Sequence, residues 1–288
     1  MNERPDPVLI VSQSLLNRFG SDCGKRLPEV VTQIGLELVF REAESYEGAL
    51  LRIKGVPRGF IVINSQIKEE SRKRFTIAHE CGHFLLPGQQ DLSTPCTKET
   101  IENWNEQLYQ PELDANRFAA EILMPRESVN DYLKVEPSMS SVQSIAASCG
   151  TSLTASGFRL IELTTFRAAI VWSQNNRVAW YKASSEFVRW IRKAELDDAT
   201  FASDCFKHRE VPKKLESVPA SAWLFEKGLK DGVRIWEHSV SLPNYGAVLS
   251  LLVIREPVEA NEDSSSMEES ELDPVEFTLR RKRWPSKK

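Results

Sequence analysis

Two histidines and a glutamate in one short stretch could bind a metal ion and activate water. Residues 74–86 read RFTIAHECGHFLL and contain His79, Glu80 and His83 in the pattern His-Glu-x-x-His. On a helix, His79 and His83 lie on one face, one turn apart, and can share a zinc ion. Glu80 is the next residue round the helix and can reach a water on that metal without binding the metal itself. The pattern therefore predicts a metal-dependent hydrolase.

The residues around this motif favour a buried helix. The bare pattern also arises by chance, so the alternative is a surface helix that carries two histidines. The chain has only four histidines, however, and the two in this stretch stand among apolar residues, where histidines need partners. Gly82 lies between them at a cost of roughly 1 kcal/mol in a helix interior, which predicts a neighbour packed closely at that point. Pro87 and Gly88 predict the end of the helix.

A second helix is predicted at residues 111–125, which begin and end with proline. One face of it combines an acid, an amide and two small residues: Glu112, Ala115, Asn116 and Ala119. The alanines would allow the close approach that Gly82 predicts. Glu112 would then face the two histidines, and Asn116 could orient a ligand. Asp114 is the competing carboxylate, but it lies on roughly the opposite side of the helix; the alternative is an amphipathic helix with solvated acids.

The two helices together resemble the ImmA/IrrE family of metallo-endopeptidases. The resemblance is carried by RFTIAHECGH at residues 74–83, by the acid-to-proline run at residues 112–125 and by the strand and hairpin that precede them. It covers roughly residues 10–165, so it includes the whole of the predicted metal site.

The resemblance implies a zinc protease with a zincin-like α+β fold. His79, His83 and Glu112 would be the zinc ligands, and Glu80 the catalytic carboxylate. Members of the family typically cleave helix-turn-helix repressors and thereby release the repressed genes. Some members carry a helix-turn-helix domain of their own ahead of the protease, whereas this chain begins directly with the protease-like part. We therefore expect a repressor supplied in trans as the substrate.

The chain outside the motifs is predicted to form three segments. Residues 1–165 would be the metallopeptidase domain, in which a small sheet, including a hairpin from Gly48 to Asn64, supports the metal-binding helices. Residues 166–255 would be a small β-rich module of unknown role, with a hairpin, three later strands (222–225, 233–237 and 247–254) and tryptophans that favour core packing. Residues 256–288 are acidic and serine-rich, then basic, which predicts a disordered tail.

Composition limits the classes of function. The net charge of −4 argues against a general nucleic-acid binder, and residues 142–163 resemble a DNA-reading helix pair only faintly, because Ser156 and Arg159 stand where apolar residues should be. No run of about 18 apolar residues is present that could span a membrane. The N-terminus lacks the order of a signal peptide, and five irregularly spaced cysteines suit reduced thiols. These features predict a cytoplasmic protein without a membrane segment.

The sequence allows more than one role for Cys96 and more than one function for the chain. Cys96, thirteen positions beyond His83, could be a further zinc ligand that is displaced on activation, or an inert thiol. The function predicted is cleavage of a specific intracellular repressor. The alternatives are a metal-binding regulator that binds its partner without proteolysis, and a sensor whose C-terminal module does the work; Glu80 argues against both, because a zinc site that does not catalyse needs no base.

Overall fold

The computed structural model of the chain describes residues 6–89, 96, 110–225 and 232–255. These residues form two compact units. The first comprises residues 1–170 and 182–186, and the second comprises residues 171–181 and 187–288, as far as each is described. The fold is mixed helix and sheet, which confirms the predicted α+β class. The predicted tail, 256–288, lies outside the described residues.

The first unit contains seven helices and three strands among its described residues. The helices are α1 (Pro7–Phe19), α2 (Leu27–Gln33), α3 (Glu70–Leu85), α4 (Gln110–Leu123), α5 (Arg126–Leu133), α6 (Met139–Cys149) and α7 (Leu153–Leu163). The strands are β1 (Leu36–Arg41), β2 (Gly48–Arg52) and β3 (Gly59–Asn64). No helix in the described part of the chain is long and apolar enough to cross a lipid bilayer.

The sheet of this unit has the order β1-β3-β2. Strand β3 pairs in parallel with β1 and antiparallel with β2, so the predicted hairpin is confirmed. The middle strand is the most buried of the three, and Ile61 and Ile63 on it are fully buried. Strand β2 is an outer strand, and α3 packs against both β2 and β3. The sheet therefore supports the motif helix, as the sequence predicted.

Helix α3 is buried along the stretch that carries the motif. Every residue from Phe75 to His83 is buried. The helix ends at Leu85, where the N–H of Leu86 bonds to the carbonyl of Gly82 and Pro87 follows. Its C-terminal carbonyls, including that of Phe84 at 3.2 Å, accept hydrogen bonds from the guanidinium of Arg52 on β2, a cation at the negative end of the helix dipole.

Helix α4 crosses α3 at the glycine between the two histidines. A Cβ atom added to Gly82 would lie only 3.0 Å from Cα of Ala115 and 3.2 Å from the ring of Phe118. The close neighbour predicted from Gly82 is thus α4, with its small Ala115 at the crossing point. This contact sets the spacing between the two helices that carry the site.

Helices α6 and α7 form part of the first unit. Ser156 and Arg159 are buried although they are polar. The guanidinium of Arg159 donates to the carboxylate of Glu121 on α4 at 2.7 and 2.9 Å and to the carbonyl of Met124 at 3.0 Å. Arg159, one of the two positions that disfavoured DNA reading, therefore joins α7 to α4 through a buried charge with satisfied hydrogen bonds.

The second sheet has five strands: β4 (Ala168–Gln174), β5 (Arg177–Ala183), β6 (Glu216–Pro219), β7 (Arg234–Leu242) and β8 (Ala247–Val253). Their order in the sheet is β5-β4-β8-β7-β6. The hairpin predicted between β4 and β5 is confirmed, and its turn residues Asn175 and Asn176 have φ of 52° and 57°, a conformation that asparagine tolerates. Trp172 and Trp180 stack across this hairpin with ring centroids 5.7 Å apart.

One predicted strand of this part of the chain is wrong. Residues 222–225 form no strand: a 3-10 turn covers Ala220–Ala222, and Leu224 makes a single isolated bridge. The indole of Trp223 instead turns inward and donates a 2.7 Å hydrogen bond to the buried carboxylate of Glu237. Strand β6 and the short helix α8 (Phe201–Phe206) lie in stretches for which the sequence predicted no element.

Candidate metal centre

The two motif histidines point their Nε2 atoms at the same place. His79 and His83 are 0% and 5% exposed, and their Nε2 atoms are 3.0 Å apart. The rings meet edge to face, with centroids 4.6 Å apart. Helical spacing explains this convergence, because residues i and i+4 share a face.

Glu112 reaches the histidines from α4. Its Oε2 lies 3.2 Å from Nε2 of His79, and its Oε1 lies 3.5 Å from Nε2 of His83. Burial alone would raise the pKa of Glu112, but hydrogen bonds and charge from the two histidines lower it to about 2. Burial lowers the pKa of His83, but Glu112 and Glu80 raise it by more, so the net shift is upward. The carboxylate of Glu112 is therefore ionised and available as a metal ligand.

An amide oxygen fixes the orientation of each imidazole. Nδ1 of His79 donates to Oδ1 of Asn116 at 2.9 Å, and Nδ1 of His83 donates to Oε1 of Gln89 at 2.7 Å. When the imidazoles are neutral, these bonds place the proton on Nδ1, so that Nε2, which points toward Glu112, is the nitrogen that can bind a metal ion. The position of Asn116 follows the helical spacing of α4. The role of Gln89 was not predicted from the sequence, because the residue follows the end of α3, where no helical periodicity indicates which way its side chain points.

Cys96 brings a fourth donor to the same point. Its Sγ lies 3.3 Å from Nε2 of His79 and 3.6 Å from Nε2 of His83. One ligand atom from each of His79, His83, Cys96 and Glu112 lies within 4.8 Å of every other. Two imidazoles, a thiol and a carboxylate are a donor set that suits zinc. The residues present therefore fit a zinc ion.

Glu80 lies beside this cluster and takes no part in it. The residue is 1% exposed, and its carboxylate oxygens make no hydrogen bond of normal geometry within the described part of the chain, although the thiol of Cys96 lies close enough to interact with them. Burial raises the pKa of this carboxyl, although the nearby charges of His79 and His83 oppose the shift. A Cβ atom added to Gly48 of β2 would lie 2.8 Å from Oε1 of Glu80, so the outer strand passes directly over the carboxylate.

The competing carboxylate, Asp114, lies outside the cluster. Its Oδ1 accepts a 2.9 Å hydrogen bond from Gln110 and lies 3.7 Å from the guanidinium of Arg117, both on α4 itself. The expected rotation of about 100° per residue accounts for this difference from Glu112. The structure thus brings together all four residues singled out from the sequence, His79, Glu80, His83 and Glu112, and leaves Asp114 at the surface of the helix.

Comparison with known proteins identifies the part of the chain that holds the site. Residues 31–160, which include α3, α4 and Cys96, match the family model described as the IrrE N-terminal-like domain. This match supports the resemblance of residues 31–160 to the ImmA/IrrE family of metallopeptidases. The chain is 30% identical over 167 residues to the radiation response metalloprotease IrrE of Deinococcus deserti. That alignment covers 56% of this chain and 57% of the relative, so the chain spans little more than half of that protein's length.

Solved structures also resemble the chain, and one of them does so over most of its length. A transcriptional regulator of Mycobacterium tuberculosis superposes with a TM-score of 0.51, covering 94% of this chain and 95% of that one. The two sequences are only 13% identical, so the likeness concerns the fold alone.

Proposed function

We propose that this protein is a zinc-dependent endopeptidase that cleaves a specific intracellular protein. The observation that carries the proposal is the convergence of His79, His83 and Glu112 on one point, with the buried carboxylate of Glu80 beside it. The resemblance of residues 31–160 to the ImmA/IrrE family and the 30% identity to a protein named a metalloprotease support it.

His79, His83 and Glu112 would hold the zinc ion, with Asn116 and Gln89 fixing the two imidazole rings. Zinc bound there would lower the pKa of a water molecule toward ~7 and polarise the scissile carbonyl. Glu80 would accept the proton of the attacking water and then pass it to the leaving amine. Burial raises the pKa of Glu80, which suits a group that takes up a proton.

The outer edge of β2 is the position at which an extended substrate could pair with the sheet. β2 is an outer strand, and Gly48 on it lies against Glu80. A peptide that adds a strand there would be held by main-chain hydrogen bonds next to the catalytic carboxylate. Such recognition selects one extended segment of a partner and restrains cleavage of other proteins.

The substrate proposed is a helix-turn-helix transcriptional repressor supplied in trans, because members of the ImmA/IrrE family typically cleave such proteins. Cutting the repressor between its DNA-binding and oligomerising parts would release its grip on the operator. The protease itself would then need no contact with DNA, which agrees with its net charge of −4. We place this activity in the cytoplasm, where such a repressor acts.

The experiment incubates the purified chain, loaded with zinc, with repressors encoded beside its gene and identifies the products by mass spectrometry. Cleavage of one repressor at one site is expected, with no appreciable digestion of casein. Glu80→Gln is the matched control: it should bind zinc as the parent does and lose hydrolysis, because only the base is removed. Broad digestion of casein would contradict narrow recognition. Full activity of Glu80→Gln would refute the mechanism. The chain truncated after residue 256 should cleave as fast as the parent.

The choice of Glu112 as a ligand is tested separately. Glu112→Ala should weaken zinc binding strongly, as should His79→Ala and His83→Ala. Asp114→Ala, two residues away on α4, serves as the control and should leave the zinc Kd unchanged. Release of zinc by Asp114→Ala but not by Glu112→Ala would show that the carboxylates have been exchanged.

A second candidate function is a metal-binding regulator that binds its partner without cutting it. The fourth donor, Cys96, favours this candidate, because zinc sites with four protein ligands are typical of structural sites. A repressor that binds to both the parent and Glu80→Gln, and is cleaved by neither, would identify this function.

A further inference from the structure

We propose that Cys96 is a fourth zinc ligand that keeps the site latent and occupies the place on β2 where a substrate strand would pair. This inference rests on the proposed function, since latency has meaning only for a site that can cleave. It is carried by two independent contacts of the same residue, one made by its thiol and one by its backbone.

The thiol contact places Sγ inside the cluster of donors. Cys96 is 1% exposed, and its Sγ lies 3.3 and 3.6 Å from the Nε2 atoms of His79 and His83. A catalytic zinc site needs three protein ligands and an open position, whereas four protein ligands close it. With Sγ as the fourth donor, the position that a substrate carbonyl or water requires is taken by the protein itself.

The backbone contact places Cys96 on the outer edge of β2. The N–H of Cys96 donates to the carbonyl of Gly48 at 2.9 Å, and the N–H of Glu47 donates to the carbonyl of Cys96 at 2.9 Å. This is an antiparallel bridge of the kind that an added strand would make. A substrate cannot pair with these groups while Cys96 holds them.

The two contacts meet at Gly48. The bridge partner of Cys96 is the glycine whose missing side chain leaves room for Oε1 of Glu80, 2.8 Å from the Cβ position. The same residue therefore blocks the metal position through its side chain and the peptide position next to the catalytic carboxylate through its backbone. Packing alone could account for the burial of Cys96. It would not account for the backbone bridge to Gly48 or for the convergence of Sγ with three other ligand atoms.

The first experiment asks whether sulfur binds the metal. X-ray absorption of the zinc-loaded parent should show one sulfur at about 2.3 Å, and the cobalt-substituted protein should show a thiolate-to-cobalt charge-transfer band. Cys96→Ala should lose both signals. Cys149→Ala, a buried cysteine outside the cluster, should keep both. Absence of sulfur from the parent's metal would overturn the proposal.

The second experiment asks whether Cys96 keeps the site closed, with a probe that needs no substrate. Acetohydroxamic acid binds zinc or cobalt through an open coordination position. We expect its Kd for the cobalt form to fall at least about tenfold in Cys96→Ala, which is roughly 1.4 kcal/mol of added affinity, and to stay unchanged in Cys149→Ala. Equal affinity for parent and Cys96→Ala would show that the thiol does not close the site.

Cleavage of the repressor then separates this inference from the proposed function. Cys96→Ala should cleave faster than the parent by about the same factor. Slower cleavage by Cys96→Ala, with its zinc retained, would make Cys96 a part of the active enzyme and overturn latency. Suppose that neither the parent nor any variant cleaves a repressor, while the sulfur and hydroxamate results are as expected. The proposed protease activity would then be refuted, and Cys96 would remain the ligand that closes a metal site.

Discussion

Replacement of Gly82 by alanine tests whether the crossing of α3 and α4 sets the metal site. The new Cβ would lie 3.0 Å from Cα of Ala115, 3.3 Å from its carbonyl oxygen and 3.2 Å from Cδ1 of Phe118. Carbon atoms in contact prefer a separation of about 3.5–4.0 Å. Backbone atoms cannot rotate away, so the two helices must separate by roughly half an ångström at this point.

Two effects on stability oppose each other in this variant. Alanine in place of glycine in a helix interior stabilises the helix by about 1 kcal/mol. Overpacking of a close contact costs about 1–3 kcal/mol. The free energy of unfolding should therefore fall by about 0–2 kcal/mol, a change small enough that the fold survives.

The effect on metal binding should be larger than the effect on stability. Glu112 stands one turn from Ala115 on α4, so it moves with that helix away from His79 and His83. Metal–ligand distances tolerate changes of only about 0.2 Å, and rotation of the glutamate side chain can recover part of the displacement. We expect the zinc Kd to rise about tenfold, the lower end of what disturbed support of a ligand costs.

The assay is a competition titration of zinc against a chromophoric chelator, with unfolding measured on the same samples. Gly157→Ala is the matched control, because it brings the same helix preference to α7, and its Cβ would meet side-chain atoms of Ile170 at 3.2 Å and of Val142 at 3.7 Å and no backbone. Its zinc Kd should not change. If Gly82→Ala gains stability and binds zinc as the parent does, the crossing does not set the spacing of the ligands.

Two further substitutions probe the support of the site and the core beneath it. Asn116→Ala should raise the zinc Kd about 10–100-fold, because His79 loses the acceptor of its Nδ1–H; an unchanged Kd would show that the ring is held by packing alone. Glu121→Ala should lower the free energy of unfolding by about 3–5 kcal/mol, because the 2% exposed Arg159 loses its main partner, whereas the matched variant at the more exposed Glu162 should cost far less. Chemical denaturation measures the free energy of unfolding of the Glu121 and Glu162 variants. Equal losses in the two would show that the buried pair of Glu121 and Arg159 contributes no more than the exposed one.

The part of the site that local spacing determines could be predicted from sequence. His79 and His83 are four residues apart on one helix, so their convergence needs no knowledge of the rest of the fold. The choice of Glu112 over Asp114 follows from the same periodicity on α4. Gly82 is a different kind of signal, since a costly residue in a helix indicates an unseen neighbour.

The remaining parts of the site depend on contacts between distant segments. Gln89 and Cys96 lie outside regular elements, and nothing in their local sequence distinguishes a ligand or an orienting amide from an ordinary polar residue. Gly48 could be read as a strand residue, but not as the point where β2 meets Glu80. Residues 222–225 give a second example of a contact that local sequence does not reveal. They have the composition of a strand but form none, and the indole of Trp223 bonds to the buried Glu237.

The two glutamates of the site have the same side chain and opposite environments. Glu112 accepts contacts from both histidines, and these outweigh its burial and bring its pKa to about 2. Glu80 is more deeply buried, and burial raises its pKa although His79, His83 and the thiol of Cys96 oppose the shift. A carboxylate that stays ionised suits a metal ligand, and one that can hold a proton suits a general base. The proposed division of roles, with Glu112 as the ligand and Glu80 as the base, thus agrees with where α3 and α4 place each side chain.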